Sequence, residues 1–316
     1  MGVAGPYRRL KWFKQERWHK WLWFEWLRLV HFSLLFSDRG YSWVNRRHLD
    51  CFREVFEGYT PTPVETRVLN DFRREGIAFA HVSEFCDQEI LSRLQARFDR
   101  LIQEKGEAFM ADPTSYNKVL DLNGDLCEDP AIRDWVMSRS FLNIASLYLG
   151  LVPRCGTKQE SVVVPTTNQR VGAQLWHRDG SDKKITKVFV YLTDVEEENG
   201  PFRYLKGTHY QGVLRDVEAW TGSHVWGTHE RSDTMLDRYD ELFAGREVVC
   251  TGKSGQVIFA DTSGFHRGGF CRAGHRRMIE LSYYSNAAFV SHGPYRIPQS
   301  YAFPDDRALR LAFGLE

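Results

Sequence analysis

The sequence lacks the features that mark several classes of protein. Its six cysteines show no Cys-x-x-Cys spacing, and it contains no internal repeat or low-complexity tract. Scattered cysteines exclude the dense disulfide framework of a small secreted fold, so we expect reduced thiols and a cytoplasmic setting. The formal net charge is only +1 over 316 residues. A balance this close to neutral gives no global attraction to nucleic acid, and we predict no nucleic-acid partner.

The first 36 residues depart from this even composition, with seven Lys or Arg against two Glu. Residues 21–36 are apolar on all sides of a helix except at Glu25, Arg28 and His31. This stretch is too short and too charged to span a bilayer, which needs roughly 20 apolar residues. Internal charges and the lack of a small-residue cleavage site argue against a signal peptide. We expect a helix packed on the core domain or on a partner subunit; the alternative is a peripheral membrane helix.

The chain is predicted to form an extension and one core domain. Residues 1–63 are an aromatic and basic helical extension, which ends in the Thr-Pro repeat of residues 60–63. Residues 64–316 are long enough for one large domain. Within them, residues 209–246 form a long insert of the kind found in lids and binding loops.

Short apolar runs with turn signals between them predict a mainly β core with flanking helices. The predicted strands are residues 77–82, 157–164, 173–176, 186–193, 202–204, 247–250, 256–261 and 277–284. The predicted helices are residues 64–75, which end at Gly76 as a C-cap, 87–105 and 131–149, and turn dipeptides predict a loop over residues 111–130. Few helices interrupt the strands, which favours an antiparallel sandwich or jelly roll over a parallel sheet.

The most informative stretch of the sequence is Trp176-His177-Arg178-Asp179-Gly180. In an extended strand, side chains two apart share a face, so His177 and Asp179 would point together. Two His and one carboxylate on one face of an ion are the ligands of non-haem Fe(II) oxygenases. The best candidate for the second His is His266, which follows an apolar run and a small turn. Zinc accepts the same ligands and is the competing metal.

Eleven residues after His266, Arg277 opens a further strand-like run. Alternation places Arg277 on one face with Ile279 and Leu281. We therefore expect Arg277 to point inward with these apolar residues and Arg276 to point outward. A buried guanidinium needs an anionic partner, and its fork matches a carboxylate.

With these residues in place, the sequence resembles the phytanoyl-CoA dioxygenase-like (PhyH) branch of the Fe(II)/2-oxoglutarate-dependent oxygenases. The resemblance runs from about residue 70 to about residue 286. The matching stretches are Asp71-Phe72-Arg73-Arg74-Glu75-Gly76, Trp176-His177-Arg178-Asp179-Gly180, Tyr191-Leu192-Thr193-Asp194-Val195, Asn199-Gly200-Pro201-Phe202, Lys206-Gly207-Thr208-His209, His266 and Arg277.

The resemblance implies a double-stranded β-helix core, the cupin-like jelly roll. It also implies that His177, Asp179 and His266 hold Fe(II) and that Arg277 holds the distal carboxylate of 2-oxoglutarate. With O2, such an enzyme hydroxylates an unactivated C–H bond of a small molecule and releases succinate and CO2. Relatives that halogenate have a small residue in place of Asp179, so its presence favours hydroxylation, desaturation or ring chemistry.

Four further residues are candidates for contacts in the site. Gln174 and Lys158 occupy positions similar to those that bind the co-substrate in some relatives. Arg203, which follows a Gly-Pro turn at the expected rim of the barrel, and Trp176 are candidates for binding substrate. Two alternatives to a small-molecule hydroxylase remain at this stage: a hydroxylase of a lipid-linked or protein substrate, and a cupin-like metal-binding protein without activity.

Overall fold

The computed structural model describes residues 37–87, 89–112, 115–122, 129–166, 170, 172–214, 243–288 and 301–316. The chain divides into two units, residues 1–46 and residues 47–316. In the first unit, helix α1 spans Asp38–Val44 and is capped by the Ser37 hydroxyl, which accepts a hydrogen bond from the Gly40 N–H. The predicted helix over residues 21–36 and most of the predicted insert lie outside the described residues. The predicted boundary at residue 63 stays a prediction.

The second unit is built on antiparallel strands. In the described part they are β1 Ile77–His81, β2 Asn117–Leu122, β3 Arg154–Val163, β4 Thr186–Tyr191, β5 Phe202–Leu205, β6 Glu247–Val249, β7 Gln256–Asp261, β8 His266–Gly268 and β9 Arg276–Tyr284. Six of them form one sheet in the order β1-β7-β4-β9-β3-β2, and three form a second sheet in the order β6-β5-β8. Every pair of neighbours runs antiparallel, which confirms the predicted mainly β class.

Helices flank this core. In the described part of the second unit they are α2 Arg46–Phe56, α3 Pro63–Glu75, α4 Glu89–Lys105, α5 Glu107–Ala111, α6 Pro130–Val136, α7 Arg139–Leu149 and α8 Arg307–Ala312. Helix α3 begins with a capping box and ends at Gly76, whose φ of 79° makes it the left-handed cap that the sequence predicts. No helix among the described residues has both the length and the apolar character that crossing a membrane would require.

Both faces of the six-stranded sheet are buried, but against different partners. One face meets the small sheet across an apolar interior that includes Phe189, Met278, Phe202 and Tyr204. The opposite face carries Phe259, whose ring contacts aromatic rings of the helical side, such as Phe72 and Phe141. Since the two sheets enclose one core and the helices cover the outside, the architecture is that of a jelly roll with a helical jacket.

Three local predictions differ from the structure. The predicted helix over residues 131–149 is two helices, because Ser138 caps a new N-terminus at α7. The predicted strand over residues 173–176 is a short 3-10 turn, Gly172–Gln174, instead. Strand β2 lies within residues 111–130, where turn dipeptides predict a loop.

A buried network of four charges joins α4 to the helical face of the large sheet. The Arg97 guanidinium meets the Glu160 carboxylate at 2.9 Å, and Lys158 lies 3.1 Å from Glu160 and 2.7 Å from Asp121. The side chains of Arg97, Lys158 and Glu160 are at most 5% exposed. Glu160 therefore compensates two buried cations at once.

We expect Glu160→Gln to lower the free energy of unfolding by about 3–5 kcal/mol, because removing one partner leaves buried cations under-compensated. Urea denaturation measures this change. The matched control is Glu89→Gln in the exposed pair with Arg93, which should cost at most about 1 kcal/mol. Equal stability of the two variants would show that the network is not electrostatically coupled.

Candidate active site

Main-chain hydrogen bonds place the two candidate histidines side by side. His177 follows the 3-10 turn and pairs with His266, the first residue of β8. Each donates its backbone N–H to the other's carbonyl at 3.0 Å. The two rings are buried, with centroids 4.2 Å apart. Backbone pairing thus joins two residues that are far apart in the sequence.

Both imidazoles present the same nitrogen to the site. Nδ1 of His177 lies 2.8 Å from the Leu175 carbonyl, and Nδ1 of His266 lies 2.9 Å from the Gly264 carbonyl. A carbonyl only accepts, so Nδ1 carries the proton and donates in each ring. In the neutral ring, Nε2 then keeps its lone pair, which is the form in which histidine binds a metal.

Asp179 completes the group. Its backbone N–H donates to the Thr262 carbonyl at 2.8 Å, which ties the loop to the end of β7. Its Oδ1 lies 3.9 Å from Nε2 of His177, and its Oδ2 lies 3.9 Å from Nε2 of His266. The ligand atoms of the three residues all lie within 4.8 Å of one another, so the structure brings together the three residues predicted from the sequence.

Local charges keep this group in its metal-binding form. Burial opposes the ionised form of Asp179, but the neighbouring positive charge, that of Lys187 first, outweighs burial and lowers the carboxyl pKa below its usual value. Burial, followed by the neighbouring His177, lowers the pKa of His266 to about 3. An ionised carboxylate beside a neutral imidazole is the state that metal ligation requires.

Two charged residues of the site are absent from the sequence predictions. Lys187 of β4 places its Nζ 3.1 Å from Oδ2 of Asp179 and 3.0 Å from Oε1 of Glu280 on β9. The sequence did carry a signal for both, since each is a lone charge within an apolar strand run. The signal is ambiguous because either residue would suit a solvent-facing position equally well.

The structure contradicts the inward prediction for Arg277. Its Nη1 lies 2.6 Å from Asp99 on α4, so it points to the helical side. Arg276 points into the interior instead: it is 3% exposed and stacks on the Tyr191 ring. The alternation of β9 is as predicted, but both of its faces are buried, and apolar neighbours therefore do not identify the inner face.

The other four predicted residues lie in different places. Lys158 is on the helical face in the network with Glu160, so the structure contradicts a contact with the co-substrate. Trp176 packs with Leu205 and Phe265 on the outer side of the small sheet, and Arg203 pairs there with Glu247. Neither faces the His-Asp-His group. Gln174 is buried in the turn that leads to His177, and its role stays a prediction.

Comparisons with solved structures show the same fold. The carbocyclase SnoK from nogalamycin biosynthesis is 18% identical, with a TM-score of 0.51 over 71% of this chain and 87% of that chain. The epimerase SnoN, solved with Fe3+, alpha ketoglutarate and nogalamycin RO, is 16% identical, with a TM-score of 0.52 over 76% and 93% of the two chains. EctD from S. alaskensis, solved with bound Fe, is 16% identical, with a TM-score of 0.52 over 76% and 83%.

A comparison with curated proteins finds no significant match. The family comparison is decisive, because the phytanoyl-CoA dioxygenase (PhyH) profile matches residues 72–279, more than half of the chain. This range includes all three residues of the His-Asp-His group as well as Lys187 and Arg276. The chain therefore belongs to the phytanoyl-CoA dioxygenase family of Fe(II)/2-oxoglutarate-dependent oxygenases.

Proposed function

We propose that the protein hydroxylates an unactivated C–H bond of a small molecule, using Fe(II), 2-oxoglutarate and O2. The observation that carries the proposal is the convergence of His177, Asp179 and His266 in the interior between the sheets. Two neutral imidazoles and one carboxylate fit Fe(II) and leave coordination positions open. Zinc would accept the same donors, but a zinc site that catalyses hydrolysis would have no use for the buried Arg276 on the same interior face.

Arg276 is the residue we assign to the distal carboxylate of 2-oxoglutarate. Its Nη1 donates to the Gly200 carbonyl, and its buried Nε has no hydrogen-bond partner among the described residues. Nε of Arg277 has none either, but the Arg277 side chain lies on the helical face and pairs with Asp99. A buried donor without a partner is costly, and a carboxylate would satisfy it with a charge-assisted bond. The Arg276 guanidinium therefore suits the distal carboxylate of 2-oxoglutarate, the group for which the sequence predicts Arg277.

The charge balance of the interior supports a dianionic co-substrate. The negative charges of Asp179 and Glu280 balance the positive charges of Lys187 and Arg276. Fe(II) would then leave two uncompensated positive charges in a buried space. Because uncompensated charge is expensive away from water, a ligand with two carboxylates is favoured there.

When bound, iron and 2-oxoglutarate supply the oxidising chemistry, and the chain supplies geometry. His177 and His266 present lone pairs that are fixed by their own Nδ1 hydrogen bonds. Asp179 supplies the anionic ligand, and its presence supports hydroxylation over halogenation. Arg276 orients the far end of the co-substrate, so that its near end faces the metal.

The names of structural relatives support a small-molecule substrate. SnoK is named as a carbocyclase and SnoN as an epimerase of nogalamycin biosynthesis, and EctD was solved with 2-oxoglutarate and 5-hydroxyectoine. These proteins share the fold but carry out different reactions on their small molecules. Hydroxylation is therefore our proposal for this chain, with desaturation and ring chemistry as the outcomes that product analysis would reveal.

The test is oxygen-dependent turnover of 2-oxoglutarate. Purified protein with Fe(II), 2-oxoglutarate and O2 should release succinate and CO2 slowly without any further substrate, and no succinate should form without O2. Mass spectrometry of small-molecule extracts incubated with the enzyme would then identify a product 16 Da heavier than its substrate. Fe(II) binding without succinate release in any mixture would favour a metal-binding protein without activity.

Asp179→Gly should abolish this turnover while the two histidines retain some metal affinity. The reason is that the variant keeps both Nε2 donors but loses the carboxylate of the His-Asp-His group. Succinate release and calorimetric metal titration separate the two effects. Full activity of the variant would mean that a different carboxylate binds the metal.

A further inference from the structure

Lys187 is a largely buried cation to which the proposed chemistry assigns a charge but no contact with the metal or the co-substrate. Its side chain rises from β4 into the interior and is 18% exposed. There its Nζ bridges two carboxylates, at 3.1 Å from Asp179 and 3.0 Å from Glu280. Glu280 is held in turn by the Ser282 hydroxyl, which donates to it at 3.1 Å. The lysine is thus held by a loop residue, Asp179, and by a residue of β9, Glu280.

A contribution to folding stability does not explain this arrangement. Desolvating two charges costs about as much free energy as their attraction gains, and well-packed apolar residues of similar volume often stabilise a protein more. The lysine nevertheless suits a charged ammonium, because two carboxylates lie within 3.1 Å of its Nζ. A fixed positive charge therefore lies against one candidate metal ligand.

This charge makes the two oxygens of Asp179 unequal. Oδ2 forms an ion pair with the Lys187 ammonium at 3.1 Å and lies 3.9 Å from Nε2 of His266. Oδ1 lies 3.9 Å from Nε2 of His177, and no lysine or arginine of the described residues forms an ion pair with it. We propose that Lys187 is a positioning residue: it holds Oδ2, so that Asp179 binds the metal through Oδ1 alone. This inference rests on the proposed function.

The number of coordination positions shows why this restriction matters. An octahedral ion with two His ligands and one carboxylate oxygen keeps three positions open. A chelating 2-oxoglutarate would need two of them, and O2 would need the third. If Asp179 bound through both oxygens, it would occupy one of these positions and compete with the co-substrate.

The experiment uses Co(II), whose visible absorption reports coordination number, in the full-length protein under nitrogen. Wild type should bind Co(II) and then 2-oxoglutarate, each measured by calorimetry and absorption. Lys187→Met should alter the Co(II) spectrum and weaken 2-oxoglutarate binding by about tenfold or more, as expected for loss of a charge-assisted contact. Lys187→Arg should restore most of the wild-type spectrum and affinity.

A second variant covers the case in which Lys187→Met does not fold. In Lys187→Met/Glu280→Gln the carboxylate that Lys187 compensates is also removed, so no unpaired Glu280 charge stays buried. This protein should fold and still show the altered Co(II) spectrum. A wild-type spectrum and affinity in either folded variant would overturn the positioning role and reduce Lys187 to a structural residue.

The two proposals fail in different ways. If wild-type protein binds neither Co(II) nor 2-oxoglutarate, the proposed function is wrong and the positioning role falls with it. If wild type binds both and Lys187→Met matches it within about twofold, which is under 0.5 kcal/mol, only the positioning role is wrong.

Discussion

Alanine at His177 or at His266 is expected to abolish tight Fe(II) binding and 2-oxoglutarate turnover. Each substitution removes one of the two Nε2 donors and leaves two ligands, too few to hold the ion against water. Loss of a group that only supports a ligand typically costs 10–100-fold in metal affinity, so loss of the ligand itself should exceed about 100-fold. Anaerobic calorimetry with Fe(II) and a succinate assay measure the two effects.

The matched control is His275→Ala, because His275 is exposed and lies outside the His-Asp-His group. Its metal affinity and turnover should equal those of wild type. Melting curves without metal will show whether the buried-site variants fold. Tight iron retention by a folded His177→Ala or His266→Ala protein would remove that residue from the metal site.

Arg276→Ala is expected to raise the Km for 2-oxoglutarate by about ten- to a hundredfold, with iron affinity nearly unchanged. A charge-assisted hydrogen bond is worth about 1.5–3 kcal/mol, which sets this range. The side chain lies in the interior on the Tyr191 ring, apart from the three metal ligands. Steady-state kinetics in 2-oxoglutarate and a parallel iron titration separate a co-substrate defect from a metal defect.

Arg277→Ala is the paired control on the neighbouring residue. Arg277 pairs with Asp99, whose side chain is 58% exposed, and such a pair contributes at most about 1 kcal/mol to stability. Its Km should match that of wild type. The reverse result, a raised Km for Arg277→Ala alone, would mean that Arg277 and not Arg276 reaches the co-substrate.

The sequence predicted the three residues of the His-Asp-His group from local geometry and from the order and spacing that carry the family resemblance. His177 and Asp179 are two residues apart, and His266 follows a recognisable apolar strand. The mainly β class followed in the same way from turn signals between short apolar runs. Neither inference required knowledge of which elements pack against which.

The arginine assignment did require that knowledge. Alternation separates Arg276 from Arg277 but does not say which face meets the second sheet. Ile279 shares its face with Arg277, and it is buried under helices and not in the interior between the sheets. In a strand whose two faces are both covered, apolar residues occur on both faces, so they do not show which face points to the interior between the sheets.

The same lack of tertiary information hid the pairing of Lys187 with Glu280. The two residues are 93 positions apart in the chain, on strands that are adjacent in the sheet. The register places Glu280 opposite Phe189, one step along the inner face from Lys187. Only the strand order makes this diagonal contact visible.

The hydrogen bonds from the two imidazoles to their own chain, two residues back, have a thermodynamic consequence. The backbone orients both rings before any ion binds, so metal binding restricts few additional side-chain torsions. Uptake should therefore be limited by diffusion and water exchange, not by folding. Iron would then stabilise the protein by mass action, raising its melting temperature with the logarithm of the free-ion concentration, while the circular dichroism spectrum stays constant.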